Sequence, residues 1–125
     1  MTATNTPTGD EPIFHLAIPS EWAAAFADGE YRSSTRGTSL EQVGFIHCST
    51  RDQIEATANR FYGDLEHLVL LTIDQQLVPS EIRFEAPEPH SELLFPHIYG
   101  PLPVSAVNLA SSWTRAAASW SLATL

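Results

Sequence analysis

Apolar and polar positions change period several times along this chain, and each change marks an element. Residues 12–18, PIFHLAI, alternate weakly between Pro12 and Pro19, which predicts a first strand with His15 inside it. The stretch SEWAAAFADG then turns helical: Ser20 stands as N-cap, Glu21 lies in the first turn, alanines fill the interior and Gly29 closes it. Trp22 and Phe26, four residues apart, are expected to share its buried face. Residues 31–43, YRSSTRGTSLEQV, lose the periodicity and predict a hydroxyl-rich loop with at most a helical turn near its end, the kind of segment in which ligand contacts tend to live.

Pattern returns at GFIHCST, residues 44–50, where an apolar pair runs into a polar cluster. Thr50-Arg51-Asp52-Gln53 fits a capping box, and Ile54, Ala58 and Phe61 follow at helical spacing until Gly63. His67-Leu68-Val69-Leu70-Leu71-Thr72-Ile73-Asp74 is nearly all apolar and predicts a strand at the centre of a sheet covered on both faces. Ile82-Arg83-Phe84-Glu85 alternates apolar with charged and predicts a more exposed strand ending on Glu85. A turn-rich link leads into LLFPHIYGPLP, residues 93–103, whose prolines forbid a helix and stiffen the backbone. A last strand is expected over 104–109, followed by an alanine-rich tail with Trp113 and Trp120 that favours a helix. These elements describe one α+β domain over 12–110, with a central mixed or antiparallel sheet and two or three short helices. Residues 1–11 read as a disordered tail and 111–125 as a C-terminal helix or tail.

Charge narrows the function classes. Fifteen acidic groups stand against six arginines and no lysine, a formal net charge of −9. Such a surface argues against broad nucleic-acid binding by counterion release, and the absence of lysine removes Schiff-base chemistry. A small anionic ligand needs only one or two aimed arginines, for which Arg32 in the hydroxyl-rich loop is the candidate and Arg51, in the first turn of the capped helix, points to solvent. No apolar run approaches a membrane span, the N-terminal residues carry no export signal, and the single Cys48 excludes an intrachain disulfide, so the expected compartment is the cytoplasm.

Three histidines, His15, His47 and His97, stand at or near strand ends, and their convergence would make a site able to exchange a proton or hold a ligand oxygen. Each alone fits an imidazole bonded to a backbone carbonyl just as well. Ser49 and Thr50 cap the following helix, which also places a positive helix end beside His47, suited to a phosphate or carboxylate. Cys48 alternates in direction with His47, so it faces away from any cleft that His47 lines. No histidine pair at short metal-ligand spacing occurs, so no residue is assigned to a metal. Phe95-Pro96-His97-Ile98-Tyr99-Gly100-Pro101 reads either as a preorganised binding platform or as a stiff crossover packing an aromatic on the core. Glu85, just before it, is the acid candidate.

Together GFIHCST, Gln53, the Phe84-Glu85 pair and FPHIYGPL, in order between Ile13 and Val107, resemble the bacterial family of unknown function DUF952. The chain departs from that pattern at Cys48, where leucine is expected, and in a longer loop over 33–42 without the usual aspartate. The resemblance implies a small α+β domain related to the ADP-ribosyltransferase-like superfamily, to which RNA 2′-phosphotransferases belong. By that analogy NAD is a substrate and no cofactor is tightly bound. His15 and His47 with Ser49 would hold ribose or pyrophosphate; Thr50 at the helix start and Arg32 in the loop are the further candidate ligand contacts, and His47, Glu85 and His97 the catalytic candidates. Phe95 or Tyr99 would stack on nicotinamide, and Glu85 or His97 would orient the attacking group. Three functions compete: a nucleotide-binding enzyme acting on a small molecule, a non-enzymatic ligand- or protein-binding module with a structural histidine cluster, and a metal-dependent hydrolase. Oligomeric state is not legible.

Overall fold

A computed structural model describes residues 9–125; positions 1–8 of the anticipated tail lie outside them. The described elements are β1 (Ile13–Ala17), α1 (Pro19–Asp28), β2 (Glu30–Tyr31), β3 (Ser33–Thr35), β4 (Thr38–Ser39), α2 (Leu40–Val43), β5 (Ile46–His47), α3 (Arg51–Phe61), β6 (His67–Ile73), β7 (Ile82–Glu85), β8 (Phe95–Ile98), β9 (Leu102–Pro103) and β10 (Val107–Thr114). Their strand pairings are antiparallel, in two three-stranded sheets, β1-β6-β10 and β5-β8-β7, and two small ribbons, β2-β9 and β3-β4. The described residues are thus α+β, with antiparallel sheets and three α-helices.

The central position of β6 follows from its composition. Leu68 and Leu70 point to one core with Phe14, Leu16 and Trp113, where Ile54 and Ala58 of α3 join them. Leu71 and Ile73 point to the other core with Ile13 and Ala17, and there Ile46 and Ile98 of the second sheet close the layer. A strand with a core on each side has no solvent face, hence its nearly continuous apolar run.

Several expectations are corrected. Helix α1 starts one residue early, with Pro19 at its first position and Ile18 as N-cap, because proline has the required φ and no N–H to leave unpaired. Ser20 makes no cap. The buried residue of α1 is Ala25, while Phe26 is 66% exposed and touches Trp22 only across the helix surface. On α3 the apolar stripe ends at Ala58 and continues into Tyr62, leaving Phe61 57% exposed. The loop 31–43 contains strands of two or three residues, and α2 is the expected helical turn, capped by Ser39 and Gln42.

The tail forms no α-helix. Strand β10 runs on to Thr114, and the rest folds back through a turn at 116–119 and a 3₁₀ turn at Leu122–Thr124. Trp113 and Trp120 meet edge-to-face at 5.0 Å, and their indole N–H groups donate to the carbonyls of Ser121 and Tyr62, each at 2.9 Å. Burying two indoles with their N–H groups satisfied outweighs the weak helix preference of three alanines.

Candidate functional site

Sheet β5-β8-β7 has two unlike faces. Ile46 pairs with Ile98 and Ile98 with Ile82; His47 pairs with His97 and His97 with Arg83. Since successive side chains alternate, Ile46, Ile82, Phe84 and Ile98 enter the core. His47, Arg83, Glu85 and His97 share the other face. Phe45, just before β5, and Tyr99, just after β8, keep the parity and join them by ring contact. Buried Ser34 donates from Oγ to the Phe45 carbonyl at 2.5 Å and fixes the approach to β5.

Four rings close on one another. Phe45 stacks on His97 with centroids 4.0 Å apart and planes at 18°, meets His47 edge-on at 4.8 Å and lies 5.2 Å from Tyr99. The two imidazoles are 5.1 Å apart and nearly perpendicular. Glu85 organises the polar side: its Oε1 accepts from Nδ1 of His97 at 2.7 Å and from the Tyr99 hydroxyl at 2.5 Å. Those two bonds, the tyrosine's first, hold its carboxyl below the usual carboxylate range. The same bond raises the Tyr99 phenol. Arg83 places its guanidinium 4.3 Å from the Tyr99 ring centroid and donates to Glu81 at 3.0 Å. His97 itself is 3% exposed, and its Nε2 is buried with no hydrogen bond. Half-buried His47 has its pKa lowered to about 4, first by desolvation and then by the neighbouring His97.

His47 and His97 therefore meet, whereas His15 does not reach this face. It lies behind β5, where Nδ1 donates to the His47 carbonyl at 2.5 Å and Nε2 accepts from the Tyr31 hydroxyl at 2.9 Å. Both nitrogens are occupied by protein and burial brings the pKa down to about 4, so His15 is a brace. Ser49 is similarly engaged: its backbone bonds both ways with Phe14 at 2.8 Å and its hydroxyl meets Thr57 at 3.1 Å. Thr50 begins α3, with its N–H on Gln53 Oε1 at 2.9 Å and its own Oγ1 buried without a hydrogen bond. Phe95 stands opposite Glu85 in the ladder, half-buried. Arg32 is held by Glu30 at 3.0 Å and by Glu41 at the surface; the cation brought to the ring-lined face is Arg83. Cys48 points into the core, as its parity with His47 requires. Among the described residues no three His, Cys, Asp or Glu side chains are grouped to hold a metal ion.

Phe45, Ser34 and Arg83 are the members not singled out from the sequence. The signal for two of them was parity: Phe45 stands two residues before His47, and Arg83 two before Glu85.

Most of the chain is similar to known proteins. A family model described as "Protein of unknown function (DUF952)" matches residues 16–110. Protein CC0527 from Caulobacter crescentus has a crystal structure that superposes with a TM-score of 0.75 at 29% identity, over 87% of this chain and 91% of that one. Its solution NMR structure gives 0.71 at 28% identity, over 87% and 90%. No curated protein matches the chain.

Proposed function

Because the chain belongs to the DUF952 family, whose membership carries a fold and leaves the chemistry to the side chains, we propose that the ring-lined face of β5, β8 and β7 binds a small nucleotide-type ligand, NAD above all, in a cytoplasmic enzyme of the ADP-ribosyltransferase-like kind. One observation carries this reading: Glu85 holds one nitrogen of His97 and leaves the other buried and unpaired beside a second imidazole. A base oriented by a carboxylate, with its second nitrogen directed at the reacting group, is the recurring arrangement for proton transfer. Phe45 and Tyr99 supply ring faces for a planar base. Breaking a nicotinamide–ribose bond passes through an oxocarbenium-like state, so the protein has only to stack the base, position the sugar and supply one hydrogen-bonding group. His47, which makes ring contacts but no hydrogen bond among the described residues, is the side chain free to swing as a ligand enters.

Saturation-transfer NMR tests the reading. NAD, ADP-ribose and nicotinamide are expected to receive magnetisation from the folded protein, and to lose it in folded His97→Ala. No transfer to any of the three at millimolar concentration ends the proposal. A second reading, a non-catalytic module with a structural histidine cluster, is favoured by the mutual contact of Phe45, His47 and His97, which is stabilising packing in its own right. It expects His47→Ala to lower the unfolding temperature and to change no ligand signal.

A further inference from the structure

The hydrogen-bonding character of the ring-lined face follows from the protein's own bonds. An ionised carboxylate only accepts, so the Glu85–His97 contact places the imidazole proton on Nδ1. In the neutral ring the lone pair is then on Nε2, the buried nitrogen that has no hydrogen bond. Both bonds to Glu85 use Oε1, and Oε2 keeps its acceptor capacity on a side chain 34% exposed. The one cation of the cluster, Arg83, already lies over Tyr99 and bonds to Glu81. Next to His97 the two unfilled positions, its own Nε2 and Oε2 of Glu85, are thus both acceptors, and the chain's net charge of −9 adds to the disadvantage of an anion.

Resting on the small-ligand reading above, we infer that this face takes a planar group bearing N–H or O–H donors, such as a carboxamide or amidinium, and rejects one that presents only acceptors, such as a carboxylate or phosphate. The donor bonds Nε2 of His97, with Oε2 of Glu85 as a second acceptor. The flat part of the ligand lies against Phe45 or Tyr99. A carboxylate at the same place would set its lone pairs against the nitrogen's own and its charge against that of Glu85.

Benzamide, benzamidine and benzoate share one ring and nearly one size, so they isolate this property. In long-range ¹H–¹⁵N spectra of the full chain, the neutral ring of His97 is expected to show a protonated Nδ1 and an unprotonated Nε2. Benzamide and benzamidine should shift the Nε2 signal with an affinity about tenfold or more above that of benzoate, the worth of one unpaired polar contact. Folded Glu85→Leu, which removes the acceptor that fixes the tautomer, should lose that discrimination. The inference is overturned if the wild-type tautomer is the reverse, if benzoate binds at His97 as well as benzamide, if none of the three shifts His97 at tens of millimolar, or if folded Glu85→Leu still discriminates. If benzamide shifts His97 while NAD and ADP-ribose receive no transfer, the nucleotide reading falls and this inference stands.

Discussion

The side-chain amide of Gln53 donates to the carbonyl of Leu94 at 2.8 Å, while its Oε1 accepts the N–H of Thr50 at 2.9 Å. The ladder between β5 and β8 pairs Ile46 with Ile98 and His47 with His97, and the Cys48 N–H still reaches the Pro96 carbonyl at 2.9 Å. Continued in register, it would next bring Thr50 opposite Leu94, but there the chain turns into α3. Gln53 fills that rung with an amide of its own. Replacing it by alanine leaves the buried Thr50 N–H without a partner and should cost about 1–3 kcal/mol, read by urea unfolding. Gln53→Glu keeps the acceptor and loses the donor, so it should be less stable than wild type at neutral pH, with a gap that narrows on acidification as the carboxyl gains a proton to donate. A gap that is constant between neutral and acid pH refutes the rung.

Protonation of His15 should limit stability on the acid side. Burial brings its pKa from 6.5 to about 4 in the fold, so below the unfolded value the unfolded chain takes up a proton that the fold refuses. Stability is therefore full above about pH 6.5 and falls as pH drops toward 4, by on the order of 3 kcal/mol for this group. Half-buried His47, lowered for the same first reason, adds to the slope. Urea unfolding across this range should show it, and His15→Gln should be less stable at neutral pH yet shallower in its pH dependence. An unchanged slope assigns the effect to another group.

Cys48 is 3% exposed, and burial pushes its thiol above the usual range. Its reaction with Ellman's reagent should be on the order of a thousandfold slower in the native protein than in urea, because only opened molecules present a thiolate. Native labelling within a factor of ten of the unfolded rate would place the sulfur at the surface.

Gly100 follows Tyr99 at a close approach to the chain before β7. A Cβ added there would stand 1.9 Å from the Ser80 Oγ and 2.7 Å from its Cβ. Gly100→Ala should cost about 1–3 kcal/mol through this overlap, and Ser80→Gly in the same chain should restore most of it. Thermal unfolding of the two single variants and the double variant measures the coupling; simple additivity would refute it.

What could be read ahead of the structure was what local pattern encodes. Strand β1 stands between Pro12 and Pro19, β6 has too long an apolar run for a half-exposed position, and Arg83 and Glu85 alternate with core residues, so these elements announce themselves. Strand β2 has two residues and pairs with β9, some seventy positions away, so it has no period to detect. The indoles of Trp113 and Trp120 are fixed by carbonyls from other segments, and alanine propensity alone points to the wrong element. At the site, three similar histidines look alike in sequence. Only the tertiary contacts make His15 a brace, His97 a ring bonded to Glu85 and His47 the member whose ring has no hydrogen bond among the described residues.

The two faces of β5, β8 and β7 alternate residue by residue, and this gives the sheet something like a reading frame. One residue inserted or lost within Phe95–Ile98 would send His97 toward the core and Ile98 toward the ring-lined face, so both faces would fail together. Substitutions can alter either face alone, but changes of length can be absorbed only in the connecting segments, such as 86–92 between β7 and β8. Length variation among relatives should therefore collect in that connection, with the spacing from Phe95 to Tyr99 held constant.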